Sequence, residues 1–190
     1  MMMMTSQPSA REHILGDAKG RVVLVQYGDY QCHRSAAAQQ LVAAVLPRYP
    51  AGLLFTFRHF PRADRHPMAM LAAETAEYAA MHECFWPMHA ALMANAHRMS
   101  LGLLFALGRQ FGLQESRLRD ALAIGLCAGR VQRDVVRAVL DEVEDTPAFF
   151  IDGRRIRSPD DESALNAAIE AALRLASRPR LHLKVDSEER

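Results

Sequence analysis

The sequence YGDYQCHRS, residues 27–35, marks the predicted junction between a strand and a helix. The run VVLV at residues 22–25, just before it, is apolar and β-branched, which predicts a strand that is buried on both faces. Cys32 lies where the next helix should begin. Unpaired backbone N–H groups at a helix start favour a thiolate over a thiol, so this position suits a reactive sulfur. Free cysteines are also common as small buried apolar side chains, and the pattern alone favours neither interpretation.

The chain around this stretch predicts a β-α-β unit. The helix should run to about Leu46, and an apolar run at residues 53–57 predicts a second strand, so the crossover should be right-handed. Residues 60–144 have helical periodicity and contain no good strand candidate, which predicts about five helices. The inward face of the first helix is predicted at Ala37, Leu41, Ala44 and Val45.

A second β segment follows these helices. Residues 148–151 are apolar and predict a strand. Asp152-Gly153 is the strongest short signal for a β-hairpin, so residues 154–157 are predicted to return as the next strand. Ser158 is then predicted to cap a final helix.

The order of elements predicts an α/β protein with a mixed sheet, β-α-β then β-β-α, that is interrupted by an all-helical insertion. We expect residues 13–60 and 142–176 to form one discontinuous α/β domain, and residues 61–141 to form the insertion domain. Residues 1–12 and 177–190 are expected to be flexible tails.

Composition limits the classes of function. The 190 residues carry 23 basic and 22 acidic side chains, so no net field favours nucleic acid or an anionic membrane. Three widely spaced cysteines do not resemble a disulfide framework, and no apolar run approaches the ~20 residues of a membrane span. The N-terminus shows no apolar segment of the secretory kind. We therefore expect a soluble protein of the reducing cytoplasm, with neither nucleic-acid binding nor membrane insertion.

The other histidines and cysteines do not form the pattern of a second catalytic or metal-binding site. His82, Cys84 and His89 have side chains that can bind metals, but their spacing matches no zinc pattern, so no metal is predicted. Four side chains are expected to have structural roles: Cys84, Cys127, His59 and His66.

Five motifs of the chain together resemble DsbA-like thioredoxin-fold proteins. In order they are YGDYQCHRS (27–35), FRHFP (57–61), HP (66–67), FWPMH (85–89) and DTPAFFIDGRR (145–155). The resemblance covers about residues 13–175 and implies a thioredoxin fold that is interrupted by a helical domain.

The resemblance also implies roles for the residues of the site. Cys32 corresponds to the family's nucleophilic cysteine, and His33 and Arg34 correspond to the dipeptide between its two cysteines. Thr146 and Pro147 correspond to the cis-proline pair that faces the cysteine and shapes the substrate groove.

The chain departs from the family at Ser35, which stands where the family has its second, resolving cysteine. A serine cannot close an internal disulfide. Cys32 could hold a mixed disulfide with glutathione or a protein thiol, but its release would need an external thiol. Intramolecular dithiol chemistry would require Cys84 or Cys127 to reach the site.

Three hypotheses for function remain open. The first is a single-cysteine thiol–disulfide exchange protein that acts on protein or small-molecule thiols and disulfides, with Cys32 as nucleophile and Ser35 in the resolving position. The second is a redox-inert binding module that uses the groove beside the cis-proline. The third is a glutathione-dependent transferase or isomerase. No bound cofactor is expected, glutathione is a candidate co-substrate, and the sequence leaves the oligomeric state open.

Overall fold

The computed structural model describes residues 12–157, 159 and 161–177, which form a five-stranded sheet with helices around it. The strands are β1 (Ile14–Gly16), β2 (Val22–Gly28), β3 (Leu53–His59), β4 (Ala148–Ile151) and β5 (Arg154–Ile156). Their order is β1-β3-β2-β4-β5, with β2 and β3 parallel and the other neighbours antiparallel. The predicted α/β class with a mixed sheet is confirmed.

The helices follow the predicted order. They are α1 (His33–Val45), α2 (Ala69–Ala80), α3 (Phe85–Ala94), α4 (Leu101–Gln110), α5 (Glu115–Ala123), α6 (Ala128–Leu140) and α7 (Glu162–Ala176). Five of them, α2 to α6, lie between β3 and β4, which agrees with the predicted helical block. Across the described ranges, no helix has the length and apolar character needed to cross a membrane.

The two parallel strands at the centre are buried along their whole length. Every residue of β2 and of β3 is buried, which confirms the interpretation of the apolar runs. The hairpin between β4 and β5 is also confirmed, with Ile151 paired to Arg154. Asp152 and Gly153 have φ angles of 46° and 75°, the left-handed conformation that a two-residue hairpin turn of this type requires.

Two details of the prediction are wrong. Strand β1 was not predicted, because three residues are too few to show an alternating pattern. The inward face of α1 consists of Ser35, Ala38, Val42 and Val45 rather than the predicted set, of which only Val45 is buried. Alanines lie all round this helix, so its apolar pattern does not single out one face.

The start of the last helix also differs from the prediction. Asp161 is the N-cap of α7, and its carboxylate accepts a hydrogen bond of 2.8 Å from the backbone N–H of Ala164. Ser158, the predicted cap, lies outside the described residues, as do nearly all of the predicted tails.

The helical block shares its core with the sheet. One cluster of buried side chains contains Phe55 and Phe57 of β3 together with Ala76 of α2 and Met88 and Leu92 of α3. The division of the chain at residues 61–141 into a separate domain therefore stays a prediction.

A buried arginine ties β3 to three other parts of the chain. Arg58 is fully buried, and its guanidinium donates to Glu12 at 3.1 Å and to the hydroxyl of Tyr27 at 3.1 Å. That hydroxyl in turn donates to Asp141, just after α6. Burial raises the pKa of Tyr27, so this hydroxyl remains a donor across the ordinary pH range.

Candidate functional site

Cys32 is the N-cap of α1, at the turn that joins β2 to this helix. Its side chain is almost fully buried, with an exposed fraction of 4%. The backbone N–H of Cys32 donates to the carbonyl of Asp29 at 3.1 Å, and this bond closes the turn. The Sγ atom donates to the carbonyl oxygen of Thr146 at 3.5 Å.

The sheet brings Thr146 to Cys32. Strand β4 pairs with β2, and Ala148 lies opposite Tyr27, so the residues before β4 meet the turn that follows β2. The peptide bond between Thr146 and Pro147 is cis. The structure thus brings together Cys32 and the Thr146-Pro147 pair, which lie 114 residues apart in sequence.

Ser35 occupies the first turn of α1 and is fully buried. Its hydroxyl oxygen accepts a hydrogen bond of 3.2 Å from the backbone N–H of Asp29. The serine therefore supports the turn that carries Cys32, and it brings no second sulfur to the site.

Asp29 organises this turn, and the sequence analysis did not identify it. Its buried carboxylate accepts hydrogen bonds from the backbone N–H of Gln31 at 2.7 Å and of Arg62 at 2.8 Å. It also contacts Nδ1 of His66 at 2.8 Å, which confirms that His66 is a histidine with a structural partner. An acidic residue directly after a buried strand was the available signal.

An arginine rim, formed by Arg34, Arg62 and Arg65, surrounds Asp145 beside the site. Arg34 donates to Oδ2 of Asp145, and the Nη1 atoms of Arg62 and Arg65 lie 3.8 and 3.6 Å from Oδ1. Burial acts to raise the pKa of Asp145, but the hydrogen bonds from Arg34 and from the backbone N–H of Thr146, together with the charges of Arg34 and Arg65, outweigh it and hold that pKa below its usual value. Asp145 is therefore a fixed negative charge.

The rim brings exposed positive charge close to the thiol. Its three guanidinium groups face the carboxylates of Asp145 and Asp64, and the buried carboxylate of Asp29 also acts on Arg62, so the charges balance in number. The hydrogen bond to Asp145 raises the pKa of Arg34, and Cys32 contributes in the same direction, so this guanidinium lies within electrostatic reach of the sulfur. His33, the other residue of the predicted dipeptide, is exposed.

The other two cysteines contact a different part of the protein. The Sγ atom of Cys84 donates to the carbonyl of Ala79 at 3.3 Å, and that of Cys127 lies 3.9 Å from Sδ of Met81. Both contacts are at the C-terminal end of α2, whereas the sulfur of Cys32 contacts Thr146. All three cysteines are free.

Cys127 is expected to resist alkylation in the folded protein. Burial raises the pKa of this thiol to about 11, and the nearby carboxylates of Glu77 and Glu74 act in the same direction. At pH 8 only about one Cys127 in a thousand would be ionised, against roughly a quarter of free cysteine, so iodoacetamide should react roughly 200-fold more slowly. Because the thiol ionises as pH rises, the rate should increase about tenfold per pH unit up to the pKa.

Peptide mapping after alkylation measures this rate, and the unfolded protein in denaturant provides the control. A Cys127 that reacts as fast in the folded as in the unfolded protein would contradict the prediction.

The side chains considered as metal ligands in the sequence do not form one cluster. His89 contacts the hydroxyl of Tyr30 through Nδ1 at 2.9 Å, and the ring of His82 packs against Tyr78. Cys84 has its partner in α2, as described above. Among the described residues, these three side chains are not grouped as potential metal ligands.

Comparison with known proteins identifies the family. A family model described as thioredoxin matches residues 9–171 of the chain. The chain is 36% identical over 162 residues to the Na(+)/H(+) antiporter NhaA 3 of Salinispora tropica, and 31% identical over 163 residues to the Na(+)/H(+) antiporter NhaA 1 of Mycobacterium sp. strain KMS. These matches cover 85% of this chain but only 25% and 27% of the two relatives, so the chain spans about a quarter of their length.

Solved structures show the same fold at low sequence identity. Oxidised BdbD from Bacillus subtilis has a TM-score of 0.75 at 20% identity, and the match covers 88% of this chain and 96% of that one. A thioredoxin-like oxidoreductase from Silicibacter pomeroyi has a TM-score of 0.73 at 22% identity, with 87% and 94% covered. The buried parallel pair of strands and the helices around it thus belong to a shared fold. The chain is a member of the thioredoxin family with a DsbA-like thioredoxin fold.

Proposed function

We propose that this protein is a single-cysteine thiol–disulfide exchange protein in which Cys32 forms mixed disulfides with its partners. One observation carries the proposal: the sulfur of Cys32 lies at the start of α1 against the Thr146 carbonyl, with Ser35 in place of a second cysteine. Thr146 and Pro147 would line the groove that receives the partner.

The proposed exchange takes place in two steps. The Cys32 thiolate attacks one sulfur of a disulfide, a new bond forms to that sulfur, and the other sulfur leaves as a thiolate that takes a proton from solvent. An external thiolate then attacks the mixed disulfide and releases the Cys32 thiolate. Because the hydroxyl of Ser35 cannot attack the mixed disulfide and supply the two electrons that reduce it, an external thiol has to supply them. A reducing cytoplasm, the predicted location, would supply such thiols.

The arginine rim favours a partner with negative charge. Guanidinium groups bind carboxylates through paired hydrogen bonds, and Arg34 and Arg65 have side chains that are 53% and 57% exposed. Glutathione carries carboxylates on both sides of its sulfur, so it has the chemistry that this rim would bind. We therefore propose glutathione as the external thiol or as a substrate.

Mass spectrometry of the intact protein tests this proposal. After incubation with oxidised glutathione, we expect nearly one glutathionyl group per wild-type chain and none on the Cys32→Ser variant. The matched controls are Cys84→Ser and Cys127→Ser, which should keep the adduct. An adduct that persists in Cys32→Ser, or that is lost in either control, would show that the site has been assigned to the wrong cysteine.

A second candidate function is supported by the burial of Cys32. A sulfur that is only 4% exposed could serve as part of the wall of a docking groove, which would make the protein a redox-inert binding module. In that case Cys32 would react with a thiol probe no faster than free cysteine at neutral pH, and Cys32→Ser would bind the partner with unchanged affinity. A transferase or isomerase would instead bind glutathione without reducing insulin disulfides.

A further inference from the structure

Three side chains of types that can bind metals come from distant parts of the chain and meet inside the protein. His13 precedes β1, His59 is the last residue of β3 and Glu77 lies on α2. The Nε2 atoms of the two histidines lie 3.0 and 2.8 Å from the same oxygen, Oε1 of Glu77. All three potential ligand atoms lie within 4.8 Å of one another.

The surrounding side chains hold both imidazole rings in place. The ring of His13 stacks on Phe85 with a centroid separation of 3.4 Å, and the ring of His59 packs edge-on against Phe57 at 5.4 Å. The side chain of His59 is 1% exposed and that of His13 is 15% exposed, so the cluster is buried but reachable past His13. Ligands whose orientation is fixed by packing lose little entropy when they bind an ion.

The charged side chains around the cluster favour a bound cation, because they carry more negative than positive charge when both imidazoles are neutral. Nη1 of Arg130 lies 2.6 Å from Asp134, whose other oxygen accepts a hydrogen bond from the backbone N–H of His59. The same guanidinium lies 3.7 Å from Glu77, so two buried carboxylates share one positive charge. When both imidazoles are neutral, one negative charge stays uncompensated, which is costly away from water.

The geometry of the cluster places one carboxylate oxygen, Oε1 of Glu77, between two imidazole nitrogens.

We propose that His13, His59 and Glu77 bind one divalent cation of the zinc class, with the fourth position open to water or an external ligand. Two histidines and one glutamate form a common set of ligands for zinc. Bonds of about 2.0–2.1 Å in a tetrahedral site place the ligand atoms about 3.3 Å apart. The observed distances of 3.0 and 2.8 Å are thus short by only a few tenths of an ångström.

This proposal departs from the sequence-based prediction of no metal. The ligands lie 64 and 18 residues from Glu77 along the chain, so they form no local motif. Their convergence depends on the packing of β1 and α2 around the end of β3.

Titration with Zn²⁺ and Co²⁺ tests the site on the full chain after removal of metals with a chelator. Competition with a chromophoric chelator should show one Zn²⁺ per chain. The absorption spectrum with Co²⁺ should show visible bands of a site with nitrogen and oxygen ligands and no thiolate charge-transfer band. The substitutions Glu77→Gln and His59→Gln should weaken Zn²⁺ binding by at least ~10-fold.

Controls separate this site from other ligands and from unfolding. His66→Gln, His82→Gln and Cys32→Ser should bind Zn²⁺ like the wild type. His13→Gln removes the least buried of the three proposed ligands. Circular dichroism can check that this variant is folded. A lack of stoichiometric binding, a thiolate band, or unchanged affinity in folded His13→Gln would overturn the proposal. None of these outcomes depends on whether Cys32 exchanges disulfides.

Discussion

The substitution Ser35→Cys is expected to convert the site at Cys32, which has one thiol, into a dithiol site that closes and opens its own disulfide. Positions three apart at a helix start are neighbours on one face, and disulfides join Cα atoms that are ~4–7 Å apart. The introduced thiol would lie in the first turn of α1, where Ser35 now accepts a hydrogen bond from Asp29. It could attack the mixed disulfide on Cys32 and release the partner without an external thiol.

Two measurements check this expectation. Under oxidising conditions, the intact mass of Ser35→Cys should fall by two hydrogen atoms, and no glutathione should stay bound. In an insulin reduction assay, Ser35→Cys should turn over faster than the wild type, in which release of each mixed disulfide depends on attack by the external thiol. Ser35→Ala is the matched control, because it also removes the hydroxyl but adds no sulfur. Equal turnover in the wild type and Ser35→Cys would show that the protein does not depend on a second thiol at this position.

The substitution Arg58→Met is expected to destabilise the folded protein by about 3–5 kcal/mol. Removing one partner of a buried ion pair leaves the other charge buried and uncompensated. Here the carboxylate of Glu12, with a side chain only 7% exposed, would lose its paired hydrogen bonds, and the hydroxyl of Tyr27 would lose a donor. Urea denaturation measures the free energy of unfolding, and the transition midpoint should shift without a large change in slope.

Two further variants show whether the loss comes from burial of the pair. Adding Glu12→Gln to Arg58→Met should recover part of the lost stability, because the uncompensated charge is then gone. Arg48→Met is the matched control at an exposed pair, where Arg48 contacts Glu162 and the two side chains are 53% and 44% exposed. That substitution should cost no more than about 1 kcal/mol. Similar losses for Arg58→Met and Arg48→Met would contradict the assignment of Arg58 as a buried structural charge.

The fold could be predicted largely from local patterns. The apolar runs of β2 and β3 and the Asp152-Gly153 turn carry their signals within a few residues, so they were identified correctly. The errors in the fold prediction also have local causes. Strand β1 is too short to show a pattern, and the alanines of α1 obscure its buried face.

The site was less predictable, because its contacts join distant parts of the chain. Cys32 alone could have been a buried apolar side chain, and only the resemblance linked it to Thr146 and Pro147. The carboxylate of Asp29 reaches His66 across 37 residues, and Asp145 reaches Arg34 across 111. Sequence periodicity and motif spacing do not indicate contacts between residues so far apart. These contacts are therefore known only from the folded structure.

The pairing of β4 with β2 has a consequence for the newly synthesised chain. The acceptor of the Cys32 thiol is the carbonyl of Thr146, 114 residues further along, and β4 has to add to the sheet to bring it there. While the ribosome is still translating the helical block, the thiol has emerged without the loop that later covers it. Cys32 is therefore made early and enclosed late, so its thiol is accessible during synthesis and becomes buried only once β4 has joined the sheet.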